Sequence, residues 1–191
     1  MLIKNWKKEI LTIPNILSLF RLVLIPVYVA IYFNSEYLLA AGILAVSCLT
    51  DLIDGKIARH FNMISTVGKI LDPLADKATQ FTLIICLAAK SPVLWYLVGL
   101  FVIKESFQLI AGGINLRKGK MLKGALMSGK ICTTVLFISL IFMVMIPTLP
   151  KIVIHCITAT DMIAMAVSFG DYLITYFKRD EEFQDISNNF E

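Results

Sequence analysis

The chain has 191 residues, of which 58% are hydrophobic and 17% charged, with a formal net charge of +4. A soluble domain carries about 25% charged residues, so this composition and a mean hydropathy of +0.78 exclude an ordinary water-soluble protein. We therefore expect a single membrane domain over residues 1–191. The positive charge does not indicate a nucleic-acid partner, because no basic patch is interleaved with aromatic residues.

The N-terminal segment, residues 1–13, has the pattern of an amphipathic helix. Leu2, Ile3, Trp6 and Ile10 recur at near-helical spacing among lysines. Such a pattern is typical of a short helix that lies in the membrane interface. A frayed basic tail is the alternative.

Long apolar runs follow one another along the rest of the chain. A helix that crosses a bilayer needs ~20 mostly apolar residues. Six runs approach that length, at about 15–33, 37–55, 70–89, 93–114, 127–147 and 150–177. The sequence therefore predicts an all-α, polytopic membrane protein with six transmembrane helices.

The distribution of basic residues predicts the orientation. The turns after the odd-numbered runs contain just Lys90 and Lys151, and the other Lys and Arg residues lie at or near the opposite side. Because cytoplasmic loops carry the excess of basic residues, both termini and both larger loops should face the cytoplasm. We expect an integral protein of the cell (cytoplasmic) membrane, with its basic face against anionic membrane lipids.

Four aspartates lie where the second run ends and the third begins. Asp51 and Asp54 are three residues apart, and Asp72 and Asp76 are four apart, so each pair shares one face of a helix. A carboxylate within a membrane helix costs ~2.5–3.5 kcal/mol on insertion scales, so cations should lie among them. Hard oxygen ligands suit Mg²⁺ or Mn²⁺, and two such ions can bind a phosphoryl group. The alternative is a set of salt bridges to Lys56, Arg59, Lys69 and Lys77.

The residues between the aspartates suit a ligand that bears phosphate. Gly55 lets a group approach the backbone, and Ala58, one turn later, keeps the same surface low. Arg59 offers a fork of donors for a diphosphate, Ser65 adds a hydroxyl, and Gly68 again permits close approach. For either glycine alone, helix packing would be the better interpretation.

The pattern Asp51-x2-Asp54-Gly55-x2-Ala58-Arg59-x8-Gly68-x3-Asp72-x3-Asp76 resembles the signature of the CDP-alcohol phosphotransferase family at all eight fixed positions. The resemblance implies an integral-membrane enzyme, usually a homodimer, that displaces CMP from a CDP-linked lipid with an alcohol. It also implies two divalent cations, Mg²⁺ or Mn²⁺, in an active site that faces the cytoplasm.

The resemblance also implies a role for each motif residue. Asp51, Asp54, Asp72 and Asp76 would bind the metals, and Asp76 would also take the proton from the attacking hydroxyl. The family's N-terminal element, PN-x2-[ST]-x2-R, is present from Pro14 to Arg21. Binding of the CDP-lipid would then involve Asn15, Ser18, Arg21, Gly55, Ala58, Arg59, Ser65 and Gly68. Arg21 alone could instead extend to the membrane interface.

The acceptor alcohol is less strongly indicated. The stretch TIPNILSLFRLVLIP is similar to two branches of the family, the phosphatidylglycerophosphate synthases and the cardiolipin synthases that use CDP-diacylglycerol. The first branch implies transfer of a phosphatidyl group from CDP-diacylglycerol to glycerol 3-phosphate. Its usual Arg-Glu pair is replaced here by Lys104-Glu105, and lysine lacks arginine's bidentate fork. Candidate acceptor-binding residues are Lys104, Lys120, Lys123 and Lys130.

Other interpretations of these features stay open. The acceptor could be phosphatidylglycerol, as in a cardiolipin synthase, or another alcohol. The basic cluster after the fourth run could simply be a positive-inside loop. A divalent-cation transporter is a further hypothesis, although its acidic residues would lie near the bilayer midplane.

Overall fold

The computed structural model describes residues 13–60, 68–117, 120–122, 126–178 and 183–185. Within them lie six α-helices: α1 Ile13–Phe33, α2 Tyr37–His60, α3 Gly68–Lys90, α4 Leu94–Arg117, α5 Met127–Met145 and α6 Lys151–Lys178. Each helix coincides with one of the six apolar runs, which confirms the predicted helical fold. The predicted interfacial segment at 1–13 lies outside the described residues, except for Ile13.

Two strands of three residues were not predicted. They are β1 Lys120–Leu122, after α4, and β2 Phe183–Asp185, after α6. The strands pair antiparallel, with Lys120 opposite Asp185 and Leu122 opposite Phe183. The described part of the chain is therefore helical, as predicted, with one small sheet added.

Four of the helices are long and apolar enough to cross a membrane. Among the described residues, these windows are Asn15–Phe33, Leu94–Asn115, Met127–Met145 and Lys151–Lys178. The apolar part of α2 is shorter, Tyr37–Ser47, because the aspartate motif occupies its C-terminal half. The motif likewise places charged residues in the first turns of α3. The chain is thus a membrane protein, and its two least apolar helices carry the motif.

Contacts within the chain define two compact units. The first unit comprises Met1–Lys90 and Ile141–Pro147, and within it α1 packs against both α2 and α3. The buried side chains between these helices include Tyr28, Leu44 and Leu83. Because α1 touches both helices that carry aspartates, its polar residues can reach the motif.

One end of the first unit is closed by a lysine among aromatic rings. Lys90, the last residue of α3, donates a hydrogen bond to the hydroxyl of Tyr37, the first residue of α2. Its ammonium lies 4.2 Å from the ring centroid of Tyr37 and 4.6 Å from that of Tyr32. Cation–π contacts of this kind stabilise by about 0.5–1 kcal/mol at exposed sites. They join α1, α2 and α3 at the end opposite the aspartates.

The second unit comprises Ser91–Leu140 and Thr148–Glu191. In it α4 packs against α6 and against β1. Phe107 of α4 contacts two rings of α6 edge-on, Phe169 at 5.4 Å and Tyr176 at 5.9 Å between centroids. Aromatic pairs in this geometry contribute about 0.5–1.5 kcal/mol beyond their buried area. They fix the position of α6 beside the charged residues of α4.

Candidate active site

The four motif aspartates lie on two helices of the first unit. Asp51 and Asp54 are in the last three turns of α2, and Asp72 and Asp76 are in the first three turns of α3. Helical backbone at these positions, as the sequence predicted, places the members of each pair on one helix face. Metal ligation by Asp51, Asp54, Asp72 and Asp76 stays a prediction.

The other motif residues also follow the helices. Gly55, Ala58 and Arg59 belong to the last turns of α2, and Gly68 is the first residue of α3. Ser65 lies between the two helices, outside the described residues. Their predicted contacts with a CDP-lipid remain predictions.

The N-terminal polar element forms a buried face of α1. Asn15, Ser18 and Arg21 recur every three residues and are 3%, 0% and 3% exposed. Arg21 does not extend to an interface, because its Nη1 forms an ion pair with Oδ1 of Asp76 on α3. The alternative interpretation of Arg21 as an interfacial arginine is therefore wrong, and the structure brings together two predicted site residues from separate parts of the sequence.

A narrow apolar cleft begins beside Arg21. Leu24 and Tyr28 of α1, Leu44 of α2 and Leu83 of α3 contribute to its walls. Among the residues that line this cleft, Arg21 carries a charge. The charged end of the cleft thus lies on the aspartate side, and its apolar end lies deeper among the helices.

A second charged cluster surrounds Lys104 in the second unit. Lys104 is only 2% exposed, although it is a lysine inside an apolar helix. Its Nζ lies 2.9 Å from Oε1 of Glu105 and 3.1 Å from Oε1 of Gln108. The same ammonium is 5.9 Å from the ring centroid of Tyr172 on α6. A charge this deeply buried persists only when it is paired and hydrogen-bonded, and Glu105 and Gln108 satisfy both requirements.

The other predicted acceptor-binding residues are placed differently. Lys130 lies on α5 and is exposed. Lys120 is the first residue of β1, and Lys123 lies outside the described residues. Of these four lysines, Lys104 is the one that the structure shows buried and hydrogen-bonded to polar side chains.

Several polar residues of the second unit were not singled out from the sequence. Gln108 could have been found, because it lies one turn after Lys104 on the same helix. Ser128 of α5 donates a 2.6 Å hydrogen bond to Oδ2 of Asp171 on α6, a pairing that no local pattern indicates. Asp161, 1% exposed and beside Ser139, had the simplest signal, because an acidic residue inside an apolar span is a functional candidate.

The comparison with known families decides the classification. A family model described as CDP-alcohol phosphatidyltransferase matches residues 11–170. The chain belongs to the CDP-alcohol phosphatidyltransferase family. The match includes the N-terminal polar element, all four aspartates and Lys104, so both charged clusters lie inside the family's domain.

Individual relatives come from both predicted branches. A CDP-diacylglycerol–glycerol-3-phosphate 3-phosphatidyltransferase of Aquifex aeolicus is 31% identical over 173 residues, which are 88% of this chain and 97% of the relative. A protein with the same name from Rickettsia bellii is 40% identical over 42% of this chain and 46% of the relative. A probable CMP-forming cardiolipin synthase of Drosophila melanogaster is 36% identical over 58% of this chain and 34% of the relative.

Proposed function

We propose that the protein transfers the phosphatidyl group of CDP-diacylglycerol to sn-glycerol 3-phosphate, giving phosphatidylglycerophosphate and CMP in phospholipid synthesis. A hydroxyl oxygen of glycerol 3-phosphate attacks the lipid-linked phosphorus, the bond to CMP breaks, and the hydroxyl proton passes to a base. The observation that carries this proposal is the Aquifex aeolicus match, because it extends over 88% of this chain and 97% of that relative.

The four carboxylates of the aspartate motif suit two divalent cations as ligands. Four carboxylates on α2 and α3, Asp51, Asp54, Asp72 and Asp76, are the oxygen ligands that Mg²⁺ and Mn²⁺ prefer. The side chain of Asp76 is 46% exposed, so it is accessible to an ion. When bound, such ions would neutralise charge on the diphosphate and make the hydroxyl of the acceptor more acidic.

The remaining first-unit residues would bind and orient the donor. The buried polar face of α1, formed by Asn15, Ser18 and Arg21, contacts the same bundle as the motif helices. Gly55, Ala58 and Gly68 would leave room for the cytidine, while Arg59 and Ser65 would bind the diphosphate. Asp76 would accept the proton of the acceptor hydroxyl, which requires the carboxylate to be ionised and oriented.

The second-unit cluster supplies a site for the acceptor phosphate. Lys104 is held in place by Glu105 and Gln108, so its ammonium need not lose side-chain entropy when it meets an anion. Lys120, Lys123 and Lys130 would add positive charge from the loop after α4 and from α5. Glycerol 3-phosphate carries the phosphate that such a set of cations would recognise.

The chain would form one domain that crosses the membrane six times. A single domain is supported by the family model, which spans both compact units. Six crossings are supported by six helices of 19 to 28 residues, since ~20 residues span the hydrocarbon core. Basic residues after α2, α4 and α6 favour a cytoplasmic active site and cytoplasmic termini in the cell membrane.

Residues 1–13 would lie in the interface as a helix, and the protein would work as a homodimer among membrane lipids.

A CMP-forming cardiolipin synthase is the second candidate. It is favoured by the relatives of that name in Drosophila melanogaster and Streptomyces coelicolor, which match 58% of this chain each. Such an enzyme would use phosphatidylglycerol as the acceptor, which lacks the terminal phosphate of glycerol 3-phosphate. Membership of a transferase family removes the support for a cation transporter.

One experiment separates these candidates. Purified protein would be incubated with CDP-diacylglycerol, Mg²⁺ and either labelled glycerol 3-phosphate or labelled phosphatidylglycerol, and the lipid product would be identified by mass. We expect phosphatidylglycerophosphate from the first acceptor, and no product from a matched Asp51→Asn variant. Cardiolipin from the second acceptor, with none of the first product, would contradict the proposal.

A further inference from the structure

We propose that Gln108 is a specificity-determining residue whose side-chain amide donates hydrogen bonds to the phosphate monoester of the acceptor. The inference rests on the proposed function, because it names the group that would recognise glycerol 3-phosphate at the cluster around Lys104. It adds donors to those of Lys104. It also predicts how the protein distinguishes a phosphate monoester from a phosphodiester, such as the one in phosphatidylglycerol.

The orientation of the Gln108 amide follows from its neighbour. Oε1 of Gln108 lies 3.1 Å from Nζ of Lys104, and an ammonium group can only donate. The amide oxygen must therefore face Lys104, and the nitrogen, on the other arm of the same group, must face away from it. An amide nitrogen carries two donors, and among the residues that the structure describes this one has no hydrogen-bond partner.

Lys104 alone selects anions weakly, because its charge is already balanced. Its ammonium is 2% exposed and lies 2.9 Å from Oε1 of Glu105, so a phosphate that approaches it also approaches a carboxylate. An ammonium has three donors, and within the described part of the chain Glu105 and Gln108 accept two of them. The third donor and the two of Gln108 together suit a ligand that offers only acceptor oxygens.

Gln108 is approachable because the next residue on its helix face has no side chain. Lys104, Gln108 and Gly112 are four residues apart, so they share a face of α4, and a helical side chain covers the turn that precedes it. A Cβ atom at Gly112 would have the hydroxyl of Tyr176 as its neighbour, at 3.4 Å. Gln108 is partly exposed, whereas Lys104 is buried. A ligand can therefore reach the amide first and the ammonium behind it.

This set of donors favours a phosphate monoester over a diester. At neutral pH a monoester has a charge of about −1.5 to −2 and three terminal oxygens, whereas a diester has a single charge and two terminal oxygens. Several donors gain more from the monoester, because hydrogen bonds to an ionised acceptor are the stronger ones. The diester also carries a second substituent where a donor would otherwise bind. Gln108 thus favours glycerol 3-phosphate over phosphatidylglycerol.

The first test replaces Gln108 by glutamate in the full-length protein. Gln108→Glu keeps the oxygen that accepts from Lys104 and replaces the amide donors by a carboxylate oxygen, which repels phosphate. The KM for glycerol 3-phosphate should rise about a hundredfold, with little change in the KM for CDP-diacylglycerol. If Gln108 merely held Lys104 in place, glutamate would do so at least as well, because a charged acceptor strengthens that hydrogen bond. An unchanged KM for glycerol 3-phosphate would therefore overturn the proposal.

Gln108→Leu removes the donors without adding charge, so it tests the selectivity. The wild type should have a higher kcat/KM for glycerol 3-phosphate than for its methyl phosphodiester, which keeps both hydroxyls. In Gln108→Leu this preference should fall about tenfold. Ser106→Leu is the matched control, because Ser106 is an exposed polar residue of the same helix, and it should keep the wild-type preference. A full preference in Gln108→Leu would contradict the assigned role.

A second readout uses the Gln108 side chain itself, in case its variants do not fold. The chain has three glutamines, Gln80, Gln108 and Gln184, so isotope-labelled glutamine gives three side-chain amide signals. Gln80→Asn and Gln184→Asn assign two of them and leave the third to Gln108. In the presence of CDP and Mg²⁺, glycerol 3-phosphate above its KM should shift the Gln108 signal, and the methyl phosphodiester should shift it less.

The outcomes separate this inference from the proposed function. A wild type that forms phosphatidylglycerophosphate while its Gln108 signal does not respond to glycerol 3-phosphate would overturn the inference alone. A wild type that forms no phosphatidylglycerophosphate would overturn the proposed function and the inference together.

Discussion

The ring of Tyr172 fills the space directly beside Gly129. A Cβ atom at Gly129 would lie 2.8 Å from the hydroxyl oxygen of Tyr172 and 2.9 Å from its Cε2. Tyr172 is 6% exposed, and the ammonium of Lys104 lies near its ring. The glycine thus allows α5 to approach the aromatic side chain that faces the candidate acceptor site.

Replacing Gly129 by alanine should therefore displace Tyr172. Forcing an extra methyl group into packed surroundings costs about 1–3 kcal/mol, which should lower the thermal unfolding temperature of the purified protein. The KM for glycerol 3-phosphate should rise, because the ring beside Lys104 moves. Gly170→Ala is the control, since a Cβ there has nothing within 4 Å. Equal behaviour of the two variants would show that the Tyr172 contact does not matter.

Lys104 should govern the affinity for the acceptor. Lys104→Met should raise the KM for glycerol 3-phosphate about tenfold or more, with a smaller effect on the KM for CDP-diacylglycerol. It should also lower the unfolding temperature, because Glu105, 16% exposed, loses its ion pair with Lys104. Lys104→Met with Glu105→Gln should recover the stability and leave the acceptor KM high. Steady-state kinetics and thermal unfolding of both variants check these expectations.

Replacing Lys130 should affect the KM for the acceptor less than replacing Lys104. It is exposed, so its charge is screened by salt, and Lys130→Met should raise the acceptor KM by a smaller factor that shrinks at high ionic strength. If neither lysine variant alters the dependence on glycerol 3-phosphate, phosphatidylglycerol becomes the better candidate for the acceptor.

Removal of divalent cations should abolish the reaction. Activity should disappear with EDTA and return with Mg²⁺ or Mn²⁺, because an all-carboxylate ligand set binds hard cations. Asp51→Asn and Asp72→Asn should be inactive although the protein still inserts into membranes. Full turnover in a chelated sample would rule out the two-cation site.

Asp76→Asn separates donor binding from chemistry. The substitution keeps the shape of the side chain and removes its charge, so CDP-diacylglycerol should still bind while kcat falls strongly. Equilibrium binding of the labelled donor and single-turnover product formation would measure the two effects. A near-normal kcat would refute the assignment of Asp76 as the base.

Labelling of single cysteines tests the orientation. A cysteine at Lys120 should react with impermeant reagents from the cytoplasmic side, and one at Glu36 from the outside. Glu36 is preferable to Ser35, which has a φ of 65°, a left-handed conformation that bulky residues adopt poorly. Cys156 is exposed and would first be replaced, together with the other native cysteines. The reverse labelling pattern would invert the proposed topology.

The sequence predicted the helices well because apolar length is a local property. The aspartate motif was placed correctly on α2 and α3, and α2 continues to His60 although its apolar run ends earlier. Partners distant in sequence were not predicted. Arg21 and Asp76 are 55 residues apart, so the ion pair depends on how α1 packs against α3. The contact of Gly129 with Tyr172 likewise joins two helices.

The pairing of β1 with β2 could not be predicted for the same reason, because the two strands are distant in sequence. Three-residue strands are too short for an alternating apolar pattern to be read, and their register is set by the helices that separate them.

The same small sheet restricts how often the chain can cross the bilayer. Two strands joined by hydrogen bonds must lie on one side, so α5 and α6, which separate β1 from β2, cross as a pair or not at all. The contact between Lys90 and Tyr37 holds the end of α3 and the start of α2 on one side. These two helices therefore also cross as a pair or not at all. A topology in which only one helix of either pair spans the membrane is therefore excluded. The two helices that carry the aspartates therefore either both cross the bilayer or both stay out of it.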